Sequence, residues 1–384
     1  MIARFIYTDC ESNGPFTSGV GKKFKSVVVP SDFVATSPAI GALKDRLPRN
    51  SLSEGYQLPN IPNSMTMAEF DALPKSWAFA QITEDTFALE RIGTAGQCYG
   101  RNNRFDEGFI MSPEAWSELT AKFAPATKPL QLRPADFVHS TGWLNPRGEG
   151  ELEAAELDSG FYELKPDFRE QLKSDLALVK RLPNLEALTK AFAQSQLTGE
   201  AAFVPKAQAK DFFAIVAVLT RLTPPVYAWQ TSFSDVWVEP RTATLTVGAN
   251  PHFLLSDKRQ PMLSGLAATW GNLAAEVFAS GMPGKLMAKL DDLATNTFTF
   301  HPTSREQGLS LLPLAIMLSD ATELAGKENL VNLAANLLEL IELPDGWVGD
   351  AQEKTLDNAA GAVYRTTAYS ESIESKLTNI GRIR

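Results

Sequence analysis

The chain reads as an α+β protein on three observations. Short β-forming runs broken by turn residues occupy residues 2–111, apolar residues recur at three- and four-residue spacing from Phe168 onward, and a Gly-rich acidic stretch lies between the two patterns. These predict an N-terminal mixed α+β domain with antiparallel strands over residues 1–147, an acidic linker over 148–164, and an α-rich domain with a small β insertion over 165–345. A C-terminal tail completes the chain over 346–384. A length of 384 residues suits two domains rather than one core.

Ile2 to Tyr7 is rich in β-formers and enters the turn signal Thr8-Asp9-Cys10-Glu11-Ser12-Asn13-Gly14-Pro15. The next segment, Ser18-Gly19-Val20-Gly21-Lys22-Lys23, invites a phosphate-loop reading, but Phe16 stands where the first glycine belongs and Lys23 where a hydroxyl is needed. It is read as a loop before a strand over Phe24 to Val29. A short helix is expected over Pro38 to Asp45, and Pro48, Pro59, Pro62 and Pro74 punctuate the irregular stretch up to residue 76. Trp77 to Ile82 and Phe87 to Ile92 flank a polar Thr83-Glu84-Asp85-Thr86 turn and form a hairpin.

The stretch Gln97 to Met111 packs two arginines, two asparagines and two carboxylates between apolar flanks, and its polarity places it on a loop leading into a strand at Phe109 to Met111. Ser112-Pro113-Glu114 then supplies an N-cap, a first-turn proline and an acid, the start of a helix ending before Pro125. Glu149, Glu151, Glu153, Glu156 and Asp158 mark the solvated linker.

Helices are predicted over Phe168 to Leu182, Leu185 to Gln196, Lys206 to Leu222, Met262 to Ser280, Glu306 to Leu324 and Glu328 to Leu343. In the last of them Leu330, Leu333, Leu337, Leu340 and Ile341 line one side. Val226 to Phe233, Thr242 to Val247 and His252 to Leu255 read as the β insertion. The end of the chain, Tyr369 to Arg384, is a polar amphipathic tail.

Composition narrows the function classes. A formal net charge of −9 disfavours non-specific attraction to nucleic acid or anionic lipid. The N-terminus has no long apolar run, and no stretch reaches the roughly 18 uninterrupted apolar residues of a membrane span. Two cysteines cannot frame a protein of this size, so both are expected as free thiols of a cytoplasmic protein. His139, His252 and His301 stand apart from one another and from the cysteines, so neither a metal nor a cofactor is expected.

Arg101 and Arg104, with Asn103 and Glu107 beside them, are the recognition candidates, because guanidinium forks suit a carboxylate or phosphate. The plainer alternative pairs these arginines locally with Asp106, Glu107 or Glu90. Asp106 and Glu107 are neighbours in sequence and so face opposite sides of a strand, which argues against shared acid–base work. The enzyme alternative is a hydrolase or nucleotide-processing protein with a pocket between the domains, using Arg101, Arg104, His139 and Cys98. No nucleophile-elbow signature surrounds either cysteine.

The order of motifs adds a partner class. Phe5-Ile6-Tyr7-Thr8-Asp9-Cys10, the Trp77 to Ile92 hairpin, Tyr99-Gly100-Arg101 leading to Phe105 and Gly108-Phe109, and later Ser232-Phe233-Ser234 together resemble the bacterial GTPase-associated proteins of NTP-dependent conflict systems. In that family the later motif carries Gly-Arg, then a Gly-Asn-aromatic step and often a histidine. Here Asn103-Arg104 replaces Gly-Asn and Gly108 falls where the histidine would stand, so no catalytic residue is carried over. The resemblance implies a non-enzymatic adaptor or core component that binds a GTPase or other proteins of the same system.

Overall fold

A computed structural model describes residues 2–11, 21–28, 58–59, 61–62, 64–83, 86–112, 115, 120, 123, 127, 130–157, 168–228, 230–235, 253–260, 262–293, 305–319 and 321–341. The fold is α+β, in two compact units that the chain crosses more than once. The first unit comprises Met1–Phe123, Pro134–Phe168 and Ser232–Ser256, and the second comprises Ala124–Arg133, Arg169–Thr231 and Asp257–Arg384. Segment 124–133 thus belongs with the helices, and segment 232–256 belongs with the N-terminal strands. Of the expected elements, the helix over 38–45, the strand over 242–247 and the tail over 346–384 lie outside the described residues, as do His252 and His301.

The strands are β1 (Ile2–Cys10), β2 (Gly21–Val28), β3 (Ser76–Thr83), β4 (Thr86–Cys98), β5 (Arg101–Met111), β6 (Ala202–Val204), β7 (Phe233–Ser234) and β8 (Phe253–Leu255). In the first unit the sheet runs β2-β1-β5-β4-β3-β7-β8, antiparallel except for the β7–β8 pair. β6 belongs to the second unit. Of the β insertion expected inside the helical domain, only Phe233 and residues 253–255 are strand among the described residues, and they join the N-terminal sheet, where Phe233 pairs with Phe79 and Phe253. The expected strand from Val226 is instead begun by a helix, Pro225–Ala228, in the second unit. Lys22 and Lys23 are strand residues opposite Asp9 and Thr8 rather than loop.

The polar stretch is not a loop. β4 continues to Cys98, Tyr99 (φ 53) and Gly100 (φ 74) make a two-residue turn, and β5 begins at Arg101. Two successive left-handed residues match the right-handed twist of a hairpin, which is why glycine takes the second position. β5 then pairs with β1 on one side and β4 on the other, and every residue from Phe105 to Met111 is buried. Turn propensity and charge favour exposure; partners on the neighbouring strands override both.

Gly108 fits this central position because nothing larger does. It pairs with Phe5, whose ring lies across it, and a Cβ there would meet Leu89 O at 2.0 Å and Phe5 Cζ at 2.8 Å. A histidine side chain has no room at this place. Gly108→Ala is expected to destabilise the protein by about 1–3 kcal/mol through overpacking, read as a lower urea midpoint with an unchanged m-value.

Residues 148–157 are not a solvated linker. Gly148–Ala154 is a helix whose Leu152 is fully buried with Ile6, Ala95, Cys98, Phe105 and Leu157. Its acids accept hydrogen bonds: Tyr99 N–H donates to Glu149 Oε2 at 3.0 Å, and Glu11 N–H donates to Glu153 Oε1 at 2.8 Å. One buried leucine and two acceptors convert an acidic run into a docked element. Ser112 does cap the segment after it, its Oγ accepting from Ala115 N–H at 3.3 Å. Thr127, beyond the expected stop at Pro125, is itself helical.

The second unit is built of helices, among them Phe168–Val179, Leu185–Thr198, Phe212–Leu219, Gly265–Ala279, Pro283–Asp292 and Glu328–Leu340. The long helix expected over Glu306 to Leu324 is divided into Arg305–Leu309, Leu311–Met317 and Ala321–Leu324. Pro313 has no N–H to return to Leu309 O. Trp270 Nε1–H donates to that carbonyl instead, at 3.1 Å. On the last helix Leu330, Val331, Ala334, Leu337 and Leu338 are buried, but Leu340 stands 56% exposed and so leaves the stripe that its spacing predicts it to extend.

The β3–β7 link carries a titratable group. Trp77 N–H donates to Asp235 Oδ1 at 2.9 Å and Asp235 N–H returns to Trp77 O at 3.3 Å. Burial, outweighing these hydrogen bonds, pushes the Asp235 carboxyl up from 3.8 to about 7. A carboxyl raised on folding favours the folded state below its unfolded value, and that contribution is lost as pH rises through the folded value. Stability relative to Asp235→Asn is expected to fall by on the order of 3 kcal/mol between about pH 4 and pH 8. Urea midpoints of both proteins across that range check it, with the Asn variant lacking this fall.

Candidate functional site

β5 presents its side chains alternately to the two faces of the sheet, and the predicted recognition residues are divided between them. On the face shared with Phe105 and Phe109 lies Glu107, with no solvent exposure. It faces Arg4 Nη2 at 3.4 Å and Arg91 Nη2 at 3.7 Å, and accepts the Leu144 N–H at 2.8 Å. The register places Arg91 directly opposite it. Arg91 also donates to Leu144 O, and its guanidinium stands 5.4 Å from the Trp143 ring. Asn103, equally buried, gives its Nδ2 to Asp9 O at 2.7 Å, while its backbone carbonyl accepts from Thr94 Oγ1 at 2.7 Å.

The opposite face holds a second charged group. Arg104 Nε donates to Asp106 Oδ1 at 3.0 Å, two residues along the same side of the strand, and Thr8 Oγ1 donates to Arg104 O at 2.5 Å. Tyr7 pairs with Asp106 across β1 and β5. Burial first, and then the Asp106 carboxylate, push its phenol up to about 12, with Arg104 opposing. Arg101 is the exposed member, its side chain 57% accessible, and it meets Asp9 Oδ1 at 3.1 Å. The local pairing expected as the plainer alternative is present for Arg104, with Asp106; Arg101 instead meets Asp9, which is none of the three acids expected.

The nucleophile candidate is closed off. Cys98 is 1% exposed, its Sγ–H points to Ala95 O at 3.7 Å, and burial pushes the thiol up to about 11. A thiol this protonated supplies little thiolate at neutral pH. His139 ends the 3₁₀ helix Pro134–His139 and is half-buried. Among the described residues no group of three or more His, Cys, Asp or Glu could hold a metal ion, and no helix is long and apolar enough to cross a membrane.

Sequence reasoning missed Arg4, Arg91 and Arg147. A readable sign existed for the first two, since an arginine inside an otherwise apolar strand requires a buried partner. Arg147 instead binds both oxygens of Asp71 at 2.6 Å, a contact between distant segments that no local pattern announces. In the second unit, a shallow depression of about 390 Å³ is lined by Pro183, Ala187, Lys190, Gln260 and Leu263. Beside it in the chain Met262 is 91% exposed and Leu263 43%. No family model matches the sequence, and no match was found among curated proteins or solved structures.

Proposed function

We propose that the chain is a non-enzymatic adaptor or core component of a bacterial GTPase-linked conflict system, binding partner proteins. The observation that supports this reading is the internal use of its polar signature: Asn103 and Glu107 are fully buried and Arg104 is paired with Asp106 inside the sheet. Such groups hold a scaffold in one arrangement and are not offered to a substrate. The GTPase as partner class rests on the motif resemblance. Exposed Met262 and Leu263 supply apolar surface of the kind protein partners cover.

Co-purification of the tagged full chain with the products of neighbouring genes tests the proposal. A nucleotide-binding partner is expected to be retained, and Met262→Asp combined with Leu263→Asp is expected to weaken its retention if that surface is used. Failure of every NTPase-encoding neighbour to bind would sink the adaptor reading. Nucleotide conversion by the purified chain, abolished by His139→Ala, would replace it with the enzyme.

A further inference from the structure

Around Phe70 the protein gathers two cationic side chains, Lys75 and Arg147. The helix Met67–Asp71 is held by a capping box between Thr66 and Glu69 and presents Phe70 inward. Lys75 immediately precedes β3, and its stem passes Gly93 of β4 so closely that a Cβ there would lie 3.3 Å from Lys75 Cδ. Its ammonium stands 5.8 Å from the centre of the Phe70 ring, and the Arg147 guanidinium stands 5.9 Å from the same ring. Arg147 spends Nη2 on Asp71 and Nη1 on Met67 Sδ at 3.1 Å. Lys75 Nζ and Arg147 Nε are both covered, and neither has a hydrogen-bond acceptor among the described residues.

An ammonium carries three donors, and leaving them unmet away from water is costly. The charged groups that act on Lys75 are Arg91, Arg147 and Asp71. Asp71 already engages Arg147 through both oxygens, and Arg91 already faces Glu107. Burial first, then Arg91, and to a smaller degree Arg147, hold the Lys75 amine below its usual range, with Asp71 opposing. Two covered donors without acceptors among the described residues, on groups 5.8 and 5.9 Å from the centre of one ring and with Arg91 also acting on Lys75, are the complement of an anion with several oxygens.

We propose that Lys75 Nζ and Arg147 Nε, backed by Arg91, form a binding site for a phosphate group, either free or borne by a mononucleotide. Entry is from the side of Arg147 and Asp71, whose side chains are 25% and 49% accessible. Bound phosphate supplies acceptors to both donors. The site is independent of the adaptor reading and stands or falls without it.

Titration calorimetry on the full chain at fixed ionic strength tests this with inorganic phosphate, with a nucleoside monophosphate and with sodium chloride as control. Phosphate is expected to bind and chloride not. Lys75→Met is expected to weaken phosphate by about tenfold or more. Without phosphate the same variant is expected to melt no lower than the parent, because it removes an unmatched buried charge, so lost binding is not lost folding. Tighter binding of the monophosphate identifies a nucleotide as the source; equal binding identifies the free ion. Absence of phosphate binding by the parent chain, or equal affinity in Lys75→Met, overturns the site.

Discussion

Glu107→Ala is expected to destabilise the protein by about 3–5 kcal/mol, since removing one partner of a buried charge group leaves the others uncompensated. Glu107 has no solvent exposure and stands between Arg4 and Arg91 on a central strand. Its loss also strips the Leu144 N–H of its acceptor. The two guanidinium distances, 3.4 and 3.7 Å, are long for ion pairs, so the backbone bond at 2.8 Å is the better-made contact. Glu107→Gln keeps an acceptor for Leu144 but not the charge, and is expected to fall between the parent and the alanine variant. Urea denaturation of the three proteins checks the order. Equal stability of parent and alanine variant would show that the arginines find other partners.

Asp291→Ala is expected to have an effect of similar size, about 3–5 kcal/mol, in the second unit. Arg133 Nη2 meets Asp291 Oδ1 at 2.7 Å, with the two side chains 0% and 1% accessible. Gln131 N–H donates to the other oxygen of the same carboxylate at 2.7 Å. Arg133 further donates to Thr220 O and Thr223 O, each at 3.4 Å, so one guanidinium joins segment 124–133 to the end of a helix and the residues beyond it. Without Asp291 this buried cation loses its 2.7 Å carboxylate partner. Asp291→Asn retains acceptor oxygen and is expected to lose less. Thermal and chemical denaturation of the alanine variant should show a clear loss, and a midpoint unchanged from the parent would count against the pair as a structural centre.

These two carboxylates also show where sequence reading reaches its limit. Glu107 is legible as part of an unusual polar stretch, but its polarity points to a loop and a ligand. Only the pairing of β5 between β1 and β4 turns it toward Arg4 and Arg91. Asp291 gives no signal, because its partner lies 158 residues away in sequence. The division of Asp106 from Glu107 is readable, since successive side chains on a strand must diverge whatever surrounds them.

By itself the sequence determined the α+β class, the first strand, the hairpin of β3 and β4, and most of the helices of the second unit. Each of these rests on a local period or turn, which neighbouring residues set without distant help. The tertiary structure alone decided that residues 101–111 form a central strand, that 148–154 dock as a helix, that 233–234 and 253–255 join the N-terminal sheet, and that Arg101 and Arg104 pair with Asp9 and Asp106. The physical reason is common to all four. Whether a charged or weakly apolar segment is exposed depends on the partners that desolvate and satisfy it, and those partners are brought by parts of the chain remote in sequence.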